Sequence, residues 1–158
     1  MSDYRPPART LTPAPGRYGV VAARFNEHLV TRLVEGCLAE FARQGLANDQ
    51  IDLLWVPGAF ELPLTAQHLA ASGRYAAVVC LGCILRGGTD HYRYVCEAAT
   101  QGILQAGLTT GVPVIFGVLT CEHEAQALER CGGRHGHKGA DAAAAALEMA
   151  AMLAALPR

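Results

Sequence analysis

Charged residues are scarce in this sequence. They make up 17% of its 158 residues, against roughly a quarter in a typical soluble domain. Hydrophobic residues reach 51%, which excludes an intrinsically disordered chain, and the length fits one domain with a substantial core. A lone subunit with so little charge would cover its surface poorly. We therefore expect part of that surface to be buried against other copies of the chain.

The sequence has no large excess of positive or negative residues, and it has no long apolar run. Its formal net charge is -1, without a basic stripe, which excludes nucleic acid as a partner. No apolar run approaches the roughly 18 residues that cross a bilayer, so we expect no membrane association. Pro6 and Pro7 lie near the N-terminus without a following apolar stretch, unlike a secretory signal. These features predict a cytoplasmic protein.

The sequence contains six cysteines, and most of them lie in apolar segments. In a cytosolic chain of this length we interpret them as small buried hydrophobic residues, not as disulfides. One alternative is a redox pair at Cys80 and Cys83, although Cys80 falls in mid-strand and not at a helix start. Another is a structural zinc site, whose candidate ligands are Cys121, His123, Cys131, His135 and His137. Their spacing does not match the usual paired ligands, so we expect no metal site.

Strand-length and helix-length segments alternate along the chain. Residues 1–16 hold four prolines and predict an extended N-terminal arm, followed by a single domain at 17–158. Apolar runs predict strands at 18–23, 51–56, 75–81 and 114–119. Helical spacing predicts helices at 27–44, 62–71, 90–108, 122–130 and 140–156. This alternation predicts an α/β fold, a three-layer α/β/α sandwich with a mainly parallel sheet of four strands.

Two aromatic residues follow predicted strands. In a parallel sheet, ligands bind beyond the carboxyl ends of the strands, where Phe25-Asn26 and Phe60-Glu61 stand. A lone Phe there is usually a local core residue. Two such rings at neighbouring strand ends, each followed by a polar residue, favour an aromatic wall for a planar ligand.

The loop after the third predicted strand leads into a helix. Its sequence is Arg86-Gly87-Gly88-Thr89, and the following helix N-terminus is a natural anion site, with Thr89 as the expected N-cap. The alternative is an ordinary loop and cap, since the Walker pattern is absent. His91 in the first helical turn can exchange a proton near neutral pH, which makes it a candidate acid/base.

Several ungapped motifs resemble those of one enzyme family, the 6,7-dimethyl-8-ribityllumazine synthases. The resemblance runs from about residue 18 to about residue 152. The motifs are VPGAFELP at 56–63, LGCILRGGTDHY at 81–92, PVIFGVLT at 113–120, QALER at 126–130 and KGAD at 138–141.

The resemblance implies a flavodoxin-like fold and a cofactor-free condensation. The two small-molecule substrates would be 5-amino-6-ribitylaminopyrimidinedione and 3,4-dihydroxy-2-butanone 4-phosphate. The products would be 6,7-dimethyl-8-ribityllumazine, phosphate and water, at the penultimate step of riboflavin biosynthesis. Amine attack, phosphate loss and ring closure require positioned partners and proton transfers.

The resemblance also implies roles for individual residues. Phe25 would stack on the pyrimidine, and His91 would shuttle protons with help from Asp141. The pyrimidine and its ribityl chain would be held by Asn26, Ala59, Phe60 and Glu61. The pocket would be lined by Cys83, Ile84 and Leu85. The phosphate would be bound by Gly88, Thr89 and Arg130. A neighbouring subunit would supply Phe116, Arg130 and Lys138.

On assembly, the resemblance implies pentamers as the minimal active unit. The short connection at 131–138 resembles that of relatives in which pentamers close into a sixty-subunit shell, and riboflavin synthase is a candidate partner. His137 departs from the family's usual Asn, and Asp141 from its frequent Glu. A non-catalytic lumazine- or flavin-binding relative and a purely structural shell protein are the competing functions. The presence of His91 and Arg130 favours the enzyme.

Overall fold

The computed structural model describes residues 12–157, so most of the predicted proline-rich arm lies outside the described residues. Residues 12–16 form no helix or strand. Ala14 is buried, and its carbonyl oxygen accepts a hydrogen bond from the Tyr18 hydroxyl at 3.2 Å. The end of the arm thus packs onto the first strand.

Four parallel strands form the central sheet, as the alternation predicted. They are β1 Arg17–Ala23, β2 Ile51–Val56, β3 Tyr75–Leu85 and β4 Val114–Cys121. Their order in the sheet is β2-β1-β3-β4. The buried runs of β1 and β3 are continuous because helices cover both faces of the sheet.

The helices pack in two layers. They are α1 Glu27–Arg43, α2 Leu62–Ala71, α3 His91–Thr110, α4 Glu124–Leu128 and α5 Lys138–Ala155. Successive residues of β1 point to opposite faces, so Val20 packs with α1 and α5 whereas Val21 packs with α2 and α3. The predicted three-layer α/β/α sandwich is confirmed. Within residues 12–157, no helix combines the length and apolarity that a membrane span requires.

Several predicted boundaries were wrong. β3 continues to Leu85 and does not end near Leu81. Gly82 is buried inside β3, where a Cβ would lie only 3.2 Å from the Leu62 side chain of α2. Close packing of α2, not a turn, explains this glycine. Helix α4 is shorter than predicted, and α5 begins at Lys138, two residues early.

The glycine-rich segment before α5 forms a small antiparallel hairpin. Its strands are β5 Cys131–Gly133 and β6 Gly136–His137. Gly132 and Gly136 have positive φ angles of 100° and 80°, which glycine adopts without steric cost. The hairpin closes where the backbone N–H of Lys138 donates to the carbonyl oxygen of Arg130 at 2.8 Å.

Helices α1 and α5 approach each other closely at Gly139. This residue is buried, and a Cβ there would collide with the backbone carbonyl of Leu33. The obstacle is backbone, so it cannot move aside as a side chain would. The small residue therefore fixes the distance between the start of α5 and α1.

We expect Gly139→Ala to destabilise the fold by about 1–3 kcal/mol, the usual cost of overpacking a core. The matched control is Gly107→Ala in α3, where an added Cβ meets its nearest neighbours at ordinary distances of 3.5 Å or more. That control should be neutral or stabilising, because Ala is the better helix former. Thermal unfolding by circular dichroism measures both. Equal midpoints for the two variants would contradict the close contact.

Candidate active site

A cavity of about 660 Å³ opens at the carboxyl ends of β1, β2 and β3. Its walls are largely apolar, with a few polar groups among them. The lining residues are Phe25, Gly58, Ala59, Phe60, Glu61, Cys83, Ile84, Leu85, Gly87, Thr89, His91, Tyr92 and Val95. The structure thus brings together nine of the predicted site residues from three separate segments of the chain.

The cavity exists because β3 is longer than its neighbour β1. The last residue of β1 that pairs with β3 is Ala22, opposite Leu81. Beyond that point β3 pairs only with β4, as far as Leu85 opposite Cys121. The overhanging residues Cys83, Ile84 and Leu85 therefore line the space that β1 leaves.

Two exposed phenyl rings border the cavity. Phe25 is 72% exposed and Phe60 is 62% exposed, so neither is the local core residue that the simpler interpretation required. The backbone N–H of Phe25 donates to the carbonyl oxygen of Pro57 at 3.1 Å, which ties the two loops together. A single turn of 3₁₀ helix, Ala59–Glu61, then brings the Glu61 side chain to the same wall.

Asn26 lies beside the cavity and not among its lining residues. Its backbone is left-handed, with φ 59°, a conformation that Asn tolerates better than most residues. Its side-chain Nδ2 donates to the carbonyl oxygen of Cys83 at 2.8 Å. This bond braces the end of β1 against β3. A direct contact of Asn26 with substrate stays a prediction.

The loop before α3 exposes its backbone. A Cβ at Gly87 or Gly88 would meet nothing within 4 Å, and neither residue has a positive φ. Neither crowding nor backbone strain thus requires glycine at these two positions. Because glycine has no side chain, the backbone there is open to a ligand. Gly87 and Thr89 line the cavity, whereas Gly88 lies next to that wall.

The predicted N-cap of α3 was wrong by one residue. Asp90 occupies the N-cap position, without a side-chain capping bond. The Thr89 hydroxyl instead accepts from the backbone N–H of His91 at a long 3.4 Å. Both Thr89 and His91 are exposed and line the cavity. A ligand anion could therefore displace this weak contact and bind at the helix start.

Arg86 braces the same loop from outside the cavity. Its Nε pairs with Glu122 at 2.7 Å, and its guanidinium carbon lies 4.6 Å from the centre of the Tyr92 ring. Its backbone N–H donates to Cys121 at 2.9 Å. Three contacts to β4, its following loop and α3 hold the start of the loop in place.

Cys83, which lines the cavity, and Cys80, which lies in the core, are both buried, as predicted. Burial raises the pKa of the Cys83 thiol to about 12, and the pKa of Cys80 is also raised to about 12 for the same reason. Both thiols stay neutral at physiological pH, which is unlike a reactive thiol pair. Across residues 12–157, no three His, Cys, Asp or Glu side chains form a group that could hold a metal ion.

Five predicted site residues besides Asn26 do not line this cavity, namely Gly88, Phe116, Arg130, Lys138 and Asp141. Phe116 projects from β4 and is 42% exposed. Arg130 and Lys138 stand together at the base of the β5–β6 hairpin. The Lys138 ammonium pairs with Asp141 at 2.7 Å. One chain therefore presents a second group of candidate residues away from its own cavity.

Sequence reasoning from local pattern missed Arg130 and Lys138. Glu129, Arg130 and Lys138 read as ordinary surface charges around a glycine-rich loop. No local signal marks them, because they meet only through the hairpin, whose antiparallel turn brings its two flanking residues side by side.

A second cleft, of about 820 Å³, lies between α1 and the hairpin. It is wide open, and none of the predicted site residues lines it. Its walls are Glu27, His28, Thr31, Arg32, Glu35, Cys131 and His137. Its openness and mixed charge make it a poorer ligand site than the apolar cavity, despite its larger volume.

The chain is similar to known proteins over nearly all of its length. The model of the family described as 6,7-dimethyl-8-ribityllumazine synthase matches residues 15–154. A relative from Spinacia oleracea, named 6,7-dimethyl-8-ribityllumazine synthase, chloroplastic, is 51% identical over 136 residues. That match covers 86% of this chain and 61% of the spinach protein, so the chain spans less than two thirds of that relative's length. The chain belongs to the 6,7-dimethyl-8-ribityllumazine synthase family.

Proposed function

We propose that this protein condenses 5-amino-6-ribitylaminopyrimidinedione with 3,4-dihydroxy-2-butanone 4-phosphate. The products are 6,7-dimethyl-8-ribityllumazine, phosphate and water, at the penultimate step of riboflavin biosynthesis. One observation carries the proposal beyond family membership. A single cavity joins two exposed phenyl rings to a glycine loop, a helix N-terminus and His91.

The cavity suits both substrates. Phe25 stacks on the planar pyrimidine, and Phe60 with Ala59 forms the adjoining wall. The Glu61 carboxylate accepts hydrogen bonds from the ring substituents and the ribityl hydroxyls. The Asn26 side chain exchanges hydrogen bonds with the same groups. The side chains of Cys83, Ile84 and Leu85 supply the apolar surface between them.

The phosphate of the butanone binds at the start of α3. Gly88 and Thr89 offer backbone N–H groups and a hydroxyl, next to the positive end of the helix dipole. His91 in the first turn moves protons between the amine, the carbonyl oxygen and the leaving phosphate. Holding the two substrates in the reactive orientation accounts for most of the rate acceleration, and proton transfer by His91 adds a smaller factor. No metal or nucleotide takes part.

A neighbouring subunit completes the site. Arg130 and Lys138 lie together at the hairpin base but outside their own chain's cavity. We infer that they reach the cavity of an adjacent subunit, where Arg130 binds the phosphate and Lys138 adds positive charge. Phe116 and Asp141 enter from the same neighbour, with Asp141 assisting His91. The low charge content and the exposed apolar residues Leu64 and Leu108 support such burial.

The assembly we propose is a pentamer, with twelve pentamers closing into a sixty-subunit shell. The short hairpin, residues 131–137, supports the shell because it resembles the connection of shell-forming relatives. Riboflavin synthase, which would use the product, is a candidate partner. We place the protein in the cytoplasm, on the sequence features alone.

We expect the purified protein to form lumazine from the two substrates without added metal or nucleotide. Absorbance and fluorescence of the product follow the reaction, and an enzyme-free mixture gives the background rate. Exhaustive chelation should leave the rate unchanged. A non-catalytic binding relative would bind lumazine without accelerating its formation. Activity lost on chelation and restored by zinc would overturn the cofactor-free mechanism.

We expect hybrid assemblies to reveal the shared site. His91→Ala should lower turnover by about 10- to 100-fold, and Arg130→Ala should mainly weaken binding of the butanone phosphate, because a charged partner is lost. In random co-assemblies of the two variants, about a quarter of the sites combine an intact His91 with an intact neighbouring Arg130. Rates at low butanone phosphate should then exceed those of either variant.

The control for this experiment is a mixture of the two variants assembled separately, which contains no hybrid sites. Its rate should equal the mean of its components. If co-assembled protein gives only that mean, Arg130 does not act in a neighbour's cavity.

We expect sedimentation to show no stable monomer. A pentamer is the smallest species expected, because each cavity needs residues from an adjacent chain, and a much larger particle is expected for the closed shell. A single species near the mass of one pentamer at high concentration would remove the shell. An active monomer would contradict the shared site.

A further inference from the structure

His137 directly precedes α5, and none of the proposed roles uses it. His137 is the N-cap residue, and its Nδ1 accepts from the backbone N–H of Ala140 at 3.5 Å. An N-cap acceptor satisfies one of the N–H groups that the helix itself leaves unpaired. The bond is long, so packing must also hold the ring.

Two glycines make room for the His137 ring. A Cβ on Gly36 of α1 would collide with the imidazole, and a Cβ on Gly132 of β5 would lie 3.3 Å from its Cδ2. The ring therefore lies directly against the backbone of α1 and beside the hairpin. A larger residue at position 36 could not coexist with the ring in this place.

A second contact pins the same turn of α5. Gly139 packs against the backbone of Leu33. Leu33 and Gly36 are three residues apart, which places them on one face of α1. His137 and Gly139 thus anchor the start of α5 at two adjacent points of that face.

The anchored turn carries two residues of the proposed site. Lys138 and Asp141 pair with each other at 2.7 Å, and the backbone N–H of Lys138 bonds Arg130. Any shift of the first turn of α5 would therefore move this ion pair and disturb the base of the hairpin.

We propose that His137 is a positioning residue. By capping α5 and filling the space left by Gly36 and Gly132, it sets where Lys138 and Asp141 enter the adjacent subunit's cavity. It thereby controls affinity for the phosphate-bearing substrate. This inference rests on the proposed function, because it needs Lys138 and Asp141 to act there.

The test compares His137→Asn with His137→Leu in the full assembled protein. Asn and Leu have similar size and shape, but only Asn offers an N-cap acceptor. His137→Asn should keep the KM for butanone phosphate within about twofold of the wild type. His137→Leu should raise that KM about five- to tenfold, with the KM for the pyrimidine nearly unchanged.

Two outcomes overturn the positioning role. One is equal KM values for His137→Leu and the wild type. The other is a loss of affinity in His137→Asn as large as in His137→Leu, since the capping acceptor would then be irrelevant.

A double-mutant cycle tests the ring contact without using activity. Gly36→Ala should lower the thermal unfolding midpoint by several degrees in the wild type, because the added methyl displaces the ring. The same change should cost much less in the His137→Asn background, where the smaller side chain leaves room. Equal costs in both backgrounds would overturn the contact.

The two readouts separate the two proposals. Absence of product from the wild-type protein would overturn the proposed function and the substrate role of His137. The unfolding cycle would still decide whether His137 anchors α5 to α1.

Discussion

Pairing of β3 with β4 beyond the end of β1 is the constraint on which the cavity depends. β1 stops pairing with β3 at Ala22, while β4 keeps β3 in the sheet as far as Leu85. The unpaired side of that overhang would expose backbone groups and apolar side chains. The loops after β1 and β2 cover part of it. The Asn26 side chain donates to the carbonyl oxygen of Cys83, and the backbone N–H of Phe25 joins the two loops by donating to the carbonyl oxygen of Pro57. The same covering loops carry the aromatic wall.

The hairpin after α4 carries two residues that we propose to act in a neighbouring subunit's site. Because β5 and β6 are only three and two residues long, Arg130 and Lys138 meet at their base. Asp141 offsets the charge of Lys138, and the Arg130 guanidinium donates to the backbone carbonyl oxygen of Gln126 at 2.9 Å. This arrangement is consistent with the proposal that Arg130 binds the phosphate of a substrate in an adjacent subunit.

The sequence pattern predicted the elements better than their ends. Continuous apolar runs of strand length were sufficient for four parallel strands, because both faces of the sheet are covered. The predicted strand ended at residue 81, just before Gly82, but β3 continues to Leu85. The close approach of Leu62 explains a glycine inside the strand. Nothing local reveals such a tertiary contact.

Only part of the candidate site was predictable from local sequence. Phe25, Phe60, Thr89 and His91 follow strands, so the rule for parallel sheets located them. The bracing bond of Asn26 depends on a left-handed backbone and on a strand 57 residues away. Arg130 and Lys138 were identified as site residues only from the family resemblance. They meet through a turn whose geometry a glycine-rich segment does not specify.

Exposure of the cavity links chemistry to assembly. In one chain both phenyl rings and His91 face water. Water exchanges protons with any exposed acid or base, and it weakens electrostatic interactions. Condensation that releases water benefits from a closed site in which fixed groups replace solvent. The exposed rings also represent apolar surface whose burial is favourable, at about 25 cal/mol per Å². In the assembly that we propose, the association that removes this surface from water would also close the cavity.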